Sequence, residues 1–124
     1  MSENASTKGQ RVEVTARCLT IYMGESDRWN GAPLYEAVVL KARELHLAGA
    51  TVLRGPMGFG AASRIHTAKI LRLSEDLPIV VEIIDTAEKI ATFMPHLEAM
   101  LGQGLITVHD VTIVRWEPVA SQTA

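Results

Sequence analysis

The residues on either side of positions 55–77 repeat one order, strand then helix then strand, and that order limits the fold more than any single motif. Val12 to Met23 is rich in β-branched and apolar residues, and Leu19, Ile21 and Met23 alternate with Cys18, Thr20 and Tyr22 as a strand requires. A polar loop, Gly24 to Gly31, follows. Pro33 fits the first turn of a helix in which Leu34, Val38, Ala42 and Leu45 recur at helical spacing, Ala37 and Leu40 widen the stripe and Gly49 is the stop. Ala50 to Arg54 is then a second strand. On the far side, Pro78 to Asp85 is the clearest strand of the chain, and its nearly continuous apolar character argues for a central position. Thr86 is an N-cap candidate, with Lys89 where a capping box would place Glu. Ala87, Ile90, Ala91, Met94, Leu97 and Leu101 make a second amphipathic stripe; Pro95 inside it is expected to kink or split the helix, and Gly102 and Gly104 to end it. Leu105 to Trp116 is the last strand, and its alternation shifts phase around Asp110, which predicts a bulge or break there.

Two such halves make a split βαβ, ferredoxin-like α+β sandwich: one antiparallel four-stranded sheet with two helices on one face. The sheet's other face and its edges need cover, and assembly with further copies supplies it. The reading divides the chain into a polar tail over residues 1–10, expected to be disordered, a single domain over 11–117 that carries the long loop 55–77, and a C-terminal tail over 118–124. At 124 residues the domain buries roughly two-thirds of its unfolded surface, enough for a core without staples.

Charge and cysteine usage narrow the function. A formal net charge of -2 gives no global attraction for nucleic acid or anionic membrane. Cys18, the single cysteine, lies in an apolar strand and reads as a buried small hydrophobe. Met1 to Gln10 has no apolar stretch of the kind that opens a signal peptide, and no run reaches the length of a membrane span, so the expected setting is reducing, soluble and cytoplasmic. RNA recognition on such a sheet needs aromatic residues on the central strands; the third strand has none and the first only Tyr22. No Gly-x-Ser-x-Gly, Ser–His–Asp set or carboxylate pair nominates a catalytic centre, and a non-enzyme is expected.

What remains is a local concentration of positive charge. Residues 45–74 contain no Asp or Glu but do contain Arg54, Arg64, Lys69 and Arg72, and the strand at 50–54 runs into Arg54-Gly55-Pro56-Met57-Gly58-Phe59-Gly60. Glycines let backbone N–H groups converge on an oxyanion with no Cβ in the way, so Arg54, Gly55, Gly58, Phe59, Gly60, Arg64, His66 and Lys69 are the candidate ligand-binding residues. The blander reading, a tight exit from the strand, is the one the motif alone favours. A connection of this length in a compact domain usually serves a function. His66 beside Arg64 could bind an anion or sense pH, or be a plain surface histidine. His46, His66, His96 and His109 share no ligand spacing, so a metal site would have to be assembled from distant segments or between subunits. Asp27 and Arg28 could pair or meet a ligand, though turn duty suits them better; Glu82, interrupting the third strand, suits the open face of the sheet, with Arg17 a possible partner.

The segments Gly24-Glu25-Ser26-Asp27-Arg28, Pro33-Leu34-Tyr35-Glu36-Ala37, Gly49-Ala50-Thr51-Val52-Leu53-Arg54-Gly55, Gly58-Phe59-Gly60, Ile65-His66-Thr67 and Leu77 to Asp85 resemble a family of small bacterial and archaeal proteins of unknown function grouped with the PII-like proteins. The resemblance runs from about Glu13 to Trp116. It implies a ferredoxin-like subunit that forms a homotrimer, binds an adenine nucleotide in clefts between subunits, and presents the 55–77 loop to a partner protein such as a transporter, channel or enzyme. Gly55, Gly58 and Gly60 would then sit at the base of that loop, beside the cleft. The chain departs from PII proteins in three ways. The phosphate-gripping lysine is replaced in Gly104-Leu105, the glycine-rich stretch before it shrinks to Gly102-Gln103-Gly104, and the long loop lacks a tyrosine to modify. Arg54, Arg64, Lys69 or Arg72 could supply the missing charge. The expected function is therefore a PII-like signalling protein for a small anionic ligand. The alternatives are a metal- or protein-binding module without nucleotide and, last, a small phosphate-ester hydrolase.

Overall fold

A computed structural model describes residues 9–59, 76–102 and 104–118. The elements are β1 (Gln10–Gly24), β2 (Arg28–Trp29), β3 (Ala32–Pro33), α1 (Leu34–Glu44), β4 (Ala50–Arg54), β5 (Pro78–Asp85), α2 (Ala87–Met100) and β6 (Leu105–Glu117). The main sheet is antiparallel with the strand order β4-β5-β1-β6, so β5 and β1 are central, as the apolar run at 78–85 implied. Leu19, Ile21 and Met23 of β1 and Ile79, Val81 and Ile83 of β5 turn toward the helices and meet Leu34, Val38 and Ala42 of α1 and Ile90, Phe93, Leu97 and Met100 of α2.

Both helices differ in detail from their sequence patterns. In α1, Leu34, Val38 and Ala42 are buried as predicted, but Leu40 is 62% exposed, on the side away from the sheet. The helix stops before Gly49. The N–H of His46 donates to Arg43 O and that of Leu47 to Ala42 O, which is a Schellman closure with His46 itself in the left-handed conformation at φ 62°. In α2 the buried stripe is Ile90, Phe93, Leu97 and Met100, while Ala87 and Ala91 face solvent. Pro95 does not split the helix. The carbonyl it leaves without a donor belongs to Ala91, on the exposed side, where water can satisfy it. Thr86 caps α2 by accepting from Lys89 N at 3.3 Å.

The polar loop at 24–31 contains a small hairpin. Asn30 (φ 51°) and Gly31 (φ 81°) are both left-handed and join β2 to β3, the two-residue turn that an Asn-Gly pair favours. The predicted bulge near Asp110 is absent. β6 pairs with β1 residue for residue from Tyr22↔Leu105 to Gln10↔Glu117, with Arg17↔Asp110 in the middle. The shift of phase is real, but both strands make it together. Where β5 accompanies β1, the apolar residues Leu19, Ile21 and Ile106 face the helices. Past Arg17, where β5 no longer accompanies β1, the apolar residues are Val12, Val14, Ala16, Val111 and Ile113 on the opposite face. Arg17 pairs with Asp110 at 3.4 Å rather than with Glu82, which lies exposed on the other face of the sheet.

Candidate functional site

The long connection leaves β4 after Arg54 and rejoins β5 at Pro78, and the described parts of its two stems, 55–59 and 76–77, converge on the turn after β1. That turn is closed by Asp27, whose N–H donates to Gly24 O (3.1 Å) while its Oδ2 accepts from Gly24 N (3.0 Å) and its carbonyl accepts from Leu34 N (2.8 Å). Asp27 thus has the turn duty its position suggested. From this turn, Glu25 N donates to Leu77 O (2.8 Å) and Ser26 N to Asp76 Oδ1 (3.1 Å), fastening the second stem. The first stem is held by one more rung of the β4–β5 ladder, Gly55 N to Pro78 O at 2.8 Å, and by a charge pair, Arg54 Nη2 to Glu25 Oε2 at 2.5 Å.

Close packing explains two glycines here. A Cβ on Gly55 would lie 2.8 Å from Pro78 Cγ, and one on Gly24 would lie 2.6 Å from Asp76 Oδ1. The pyrrolidine ring sits in a strand and cannot give way, so Gly55 is required for the approach of the stems. Its N–H is used by Pro78 and does not point to an anion, which is the strand-exit reading of that residue. Met57 and Phe59 are exposed beyond the ladder.

Of the predicted ligand-binding residues, the structure brings Arg54, Gly55 and Gly58 together around Pro78, with Phe59 following; Gly60, Arg64, His66 and Lys69 lie outside the described residues. The sequence reading does not anticipate Glu25 and Asp76, the two carboxylates that fasten the stems to the turn. Gly24-Glu25-Ser26-Asp27 is visible as a polar loop, but its partners lie 29 and 50 residues away and only the sheet order brings them near. A recess of about 240 Å³ between Val39, Arg43, Leu47 and Ala50 lies at the opposite end of β4 and takes no part in this cluster.

One further surface bears on the site. The sheet face away from the helices carries a row straight across the strands, Leu53, Val80, Tyr22 and Leu105, in which Leu53, Tyr22 and Leu105 are exposed; Ile84 adds to it. Leu105 therefore belongs to this apolar face, and the glycine before it packs its Cα against Tyr22 O, where a Cβ would come within 3.3 Å. Cys18 is buried, with Sγ 3.7 Å from Thr20 Oγ1. Among the described residues no group of three or more His, Cys, Asp or Glu is placed to hold a metal ion, and no helix is long and apolar enough to cross a membrane.

Known proteins resemble this arrangement at two levels. The fold is shared with CPII from Thiomonas intermedia K12, solved bound to ADP and bicarbonate, at 18% identity and a TM-score of 0.57 over 84% of this chain and 93% of that one. It is shared also with a putative PII-like signalling protein from Thermus thermophilus, at 19% identity and a TM-score of 0.56 over 82% and 90%. These establish a PII-like fold. At the level of sequence, a UPF0166 protein of Aquifex aeolicus is 38% identical over 82% of this chain and 95% of its own length, and one of Methanocaldococcus jannaschii 31% identical over 84% and 96%. The DUF190 family model, described as an uncharacterized ACR, matches residues 16–113, so that both helices, the stems, the fastening turn and all of the sheet but the outer ends of β1 and β6 fall within the match, and this chain with its PII-like fold belongs to the DUF190/UPF0166 family.

Proposed function

We propose that this protein is a non-enzymatic regulator that binds a small anionic ligand, an adenine nucleotide being the leading candidate, between subunits of a trimer and presents the 55–77 connection to a partner protein such as a transporter, channel or enzyme. The observation that carries the reading is the stem cluster. On a PII-like fold, it places the Arg54 guanidinium at the root of the connection, half-exposed, beside both stems. A cation at that place can respond to a ligand and change the connection above it. A second observation supports assembly: among the described residues, the row of Leu53, Tyr22 and Leu105 is an exposed apolar strip on the sheet face away from the helices. CPII, with the same fold, has been solved with ADP and bicarbonate, which is the chemical precedent for a nucleotide and a small anion.

Each charge-assisted hydrogen bond from guanidinium to phosphate contributes about 1.5–3 kcal/mol. Ligand binding must favour one arrangement of the connection over another to act as a signal. The test is calorimetric titration with ATP, ADP, AMP and cyclic nucleotides at low salt. Saturable heat from one of them is expected, and a rise in melting temperature that corresponds to about 2.7 kcal/mol when ligand stands at a hundredfold excess over Kd. No heat from any of these nucleotides, together with unchanged melting, removes the nucleotide from the proposal.

A further inference from the structure

Arg54 is already occupied by a carboxylate. Its Nη2 donates to Glu25 Oε2 at 2.5 Å, with the arginine side chain 48% and the glutamate 28% exposed. From this we infer that Glu25 acts as a built-in competitor for the anion site: ligand binds at Arg54 by exchange with Glu25, and Glu25 sets both the affinity and the class of anion accepted. The inference rests on the anion-binding reading above and adds to it the residue that regulates the site.

The surrounding contacts make exchange feasible. Glu25 is held in place by its own backbone, through Glu25 N to Leu77 O, and its neighbour by Ser26 N to Asp76 Oδ1. The first stem is held independently by Gly55 N to Pro78 O. The Arg54–Glu25 contact is therefore a side-chain link between two backbones that are each fixed by other bonds. Arg54 can rotate away from Glu25 with every one of those bonds intact, so a ligand meets only the competition of one carboxylate and not the cost of dismantling the stems.

Tethering gives that carboxylate an advantage over free ligands of its own kind. A group anchored within reach of its partner competes at an effective concentration in the millimolar range. A free monocarboxylate or bicarbonate brings one charge and no such advantage, and it does not displace Glu25. A di- or polyphosphate brings more charge and several acceptor oxygens in a geometry that suits the planar guanidinium. The pair therefore admits polyphosphates and holds out monoanions, which points to a ligand with a di- or triphosphate group rather than a carboxylate metabolite.

The experiment is calorimetric titration of the full chain, wild type, Glu25→Gln, Arg54→Gln and the double variant, each with ADP, inorganic pyrophosphate, acetate and adenosine. Glu25→Ala serves as a second variant, and circular dichroism confirms the fold of each. ADP and pyrophosphate are expected to bind Glu25→Gln about three- to fivefold more tightly than wild type, the fold-change that an exposed ion pair corresponds to. Acetate is expected to be detected only with Glu25→Gln or Glu25→Ala, adenosine to be indifferent to residue 25, and the gain to vanish in the double variant. If ADP binds wild type and Glu25→Gln equally, or if Arg54→Gln leaves ADP binding unchanged, the exchange is overturned while nucleotide binding stands. If ADP and pyrophosphate bind neither wild type nor Glu25→Gln, both the exchange and the nucleotide reading fall.

Discussion

Asp85 and His46 show at the residue scale how the two halves of the chain are joined. Asp85, only 9% exposed, accepts from Ala48 N at 2.8 Å and from Thr86 N at 2.7 Å, so one carboxylate ties the entry to β4 to the start of α2. Lys89 Nζ adds a bond to Leu45 O, across the same junction. His46 lies in this junction at φ 62°, a conformation that disfavours any side chain by about 1–2 kcal/mol. It is exposed and has no part in the core, so His46→Gly relieves that strain. Urea unfolding is expected to show a gain of about 1 kcal/mol after the added flexibility of the unfolded glycine is discounted. The sequence does not identify this position because Gly49 is the residue type expected to end a helix. By contrast Asn30-Gly31 announces its own turn; the signal is present, and reading residues 24–31 as one polar loop passes over it.

The elements themselves are largely legible in the sequence, and their faces less so. Strand and helix order, the central place of β5, the Thr86 cap and the ends of the 55–77 connection all follow from periodicity and from the punctuating Gly and Pro residues. The stripe of α2 differs from its sequence pattern because Ala87 and Ala91 count as apolar there, although alanine tolerates either side of a helix. Phe93 decides the face, and it has no exposed area at all. Phe93→Ala is expected to cost about 3–5 kcal/mol in urea denaturation, as a large cavity between α2 and the sheet would require. Leu40→Ala, on the exposed side of α1, is expected to stay within about 0.5 kcal/mol of wild type. The absence of a bulge in β6 has a similar lesson. A change of phase in one strand looks like a break unless its partner changes phase at the same register, and pairing between the two ends of a chain is invisible in either segment alone.

For the molecule as a whole, the question is what covers the sheet face that carries Leu53, Tyr22 and Leu105. If copies of this chain cover it, Leu105→Glu, at a position 59% exposed in the single chain, leaves the fold intact and removes assembly. Sedimentation of wild type is expected to give a trimer and that of Leu105→Glu a monomer of normal helix content; a monomeric wild type would rule out a ligand cleft between subunits. The proposed ligand site is only partly legible in the sequence for a related reason. Arg54 and its glycines stand out, but a site also depends on which carboxylate reaches the cation, and Glu25 does so because β1, β5 and β4 lie side by side.

Among the described residues the longest pairing joins β1 to β6, from Gln10↔Glu117 to Tyr22↔Leu105. During synthesis β1 emerges well before β6 and waits for α1, β4, β5 and α2 to be made before β6 can dock along it. Contacts of such large sequence separation slow folding, and they leave a hydrophobic strand unprotected on the ribosome. Newly made protein should therefore depend on chaperones until β6 has emerged, and premature termination anywhere before Leu105 should yield fragments that aggregate rather than shortened but folded domains.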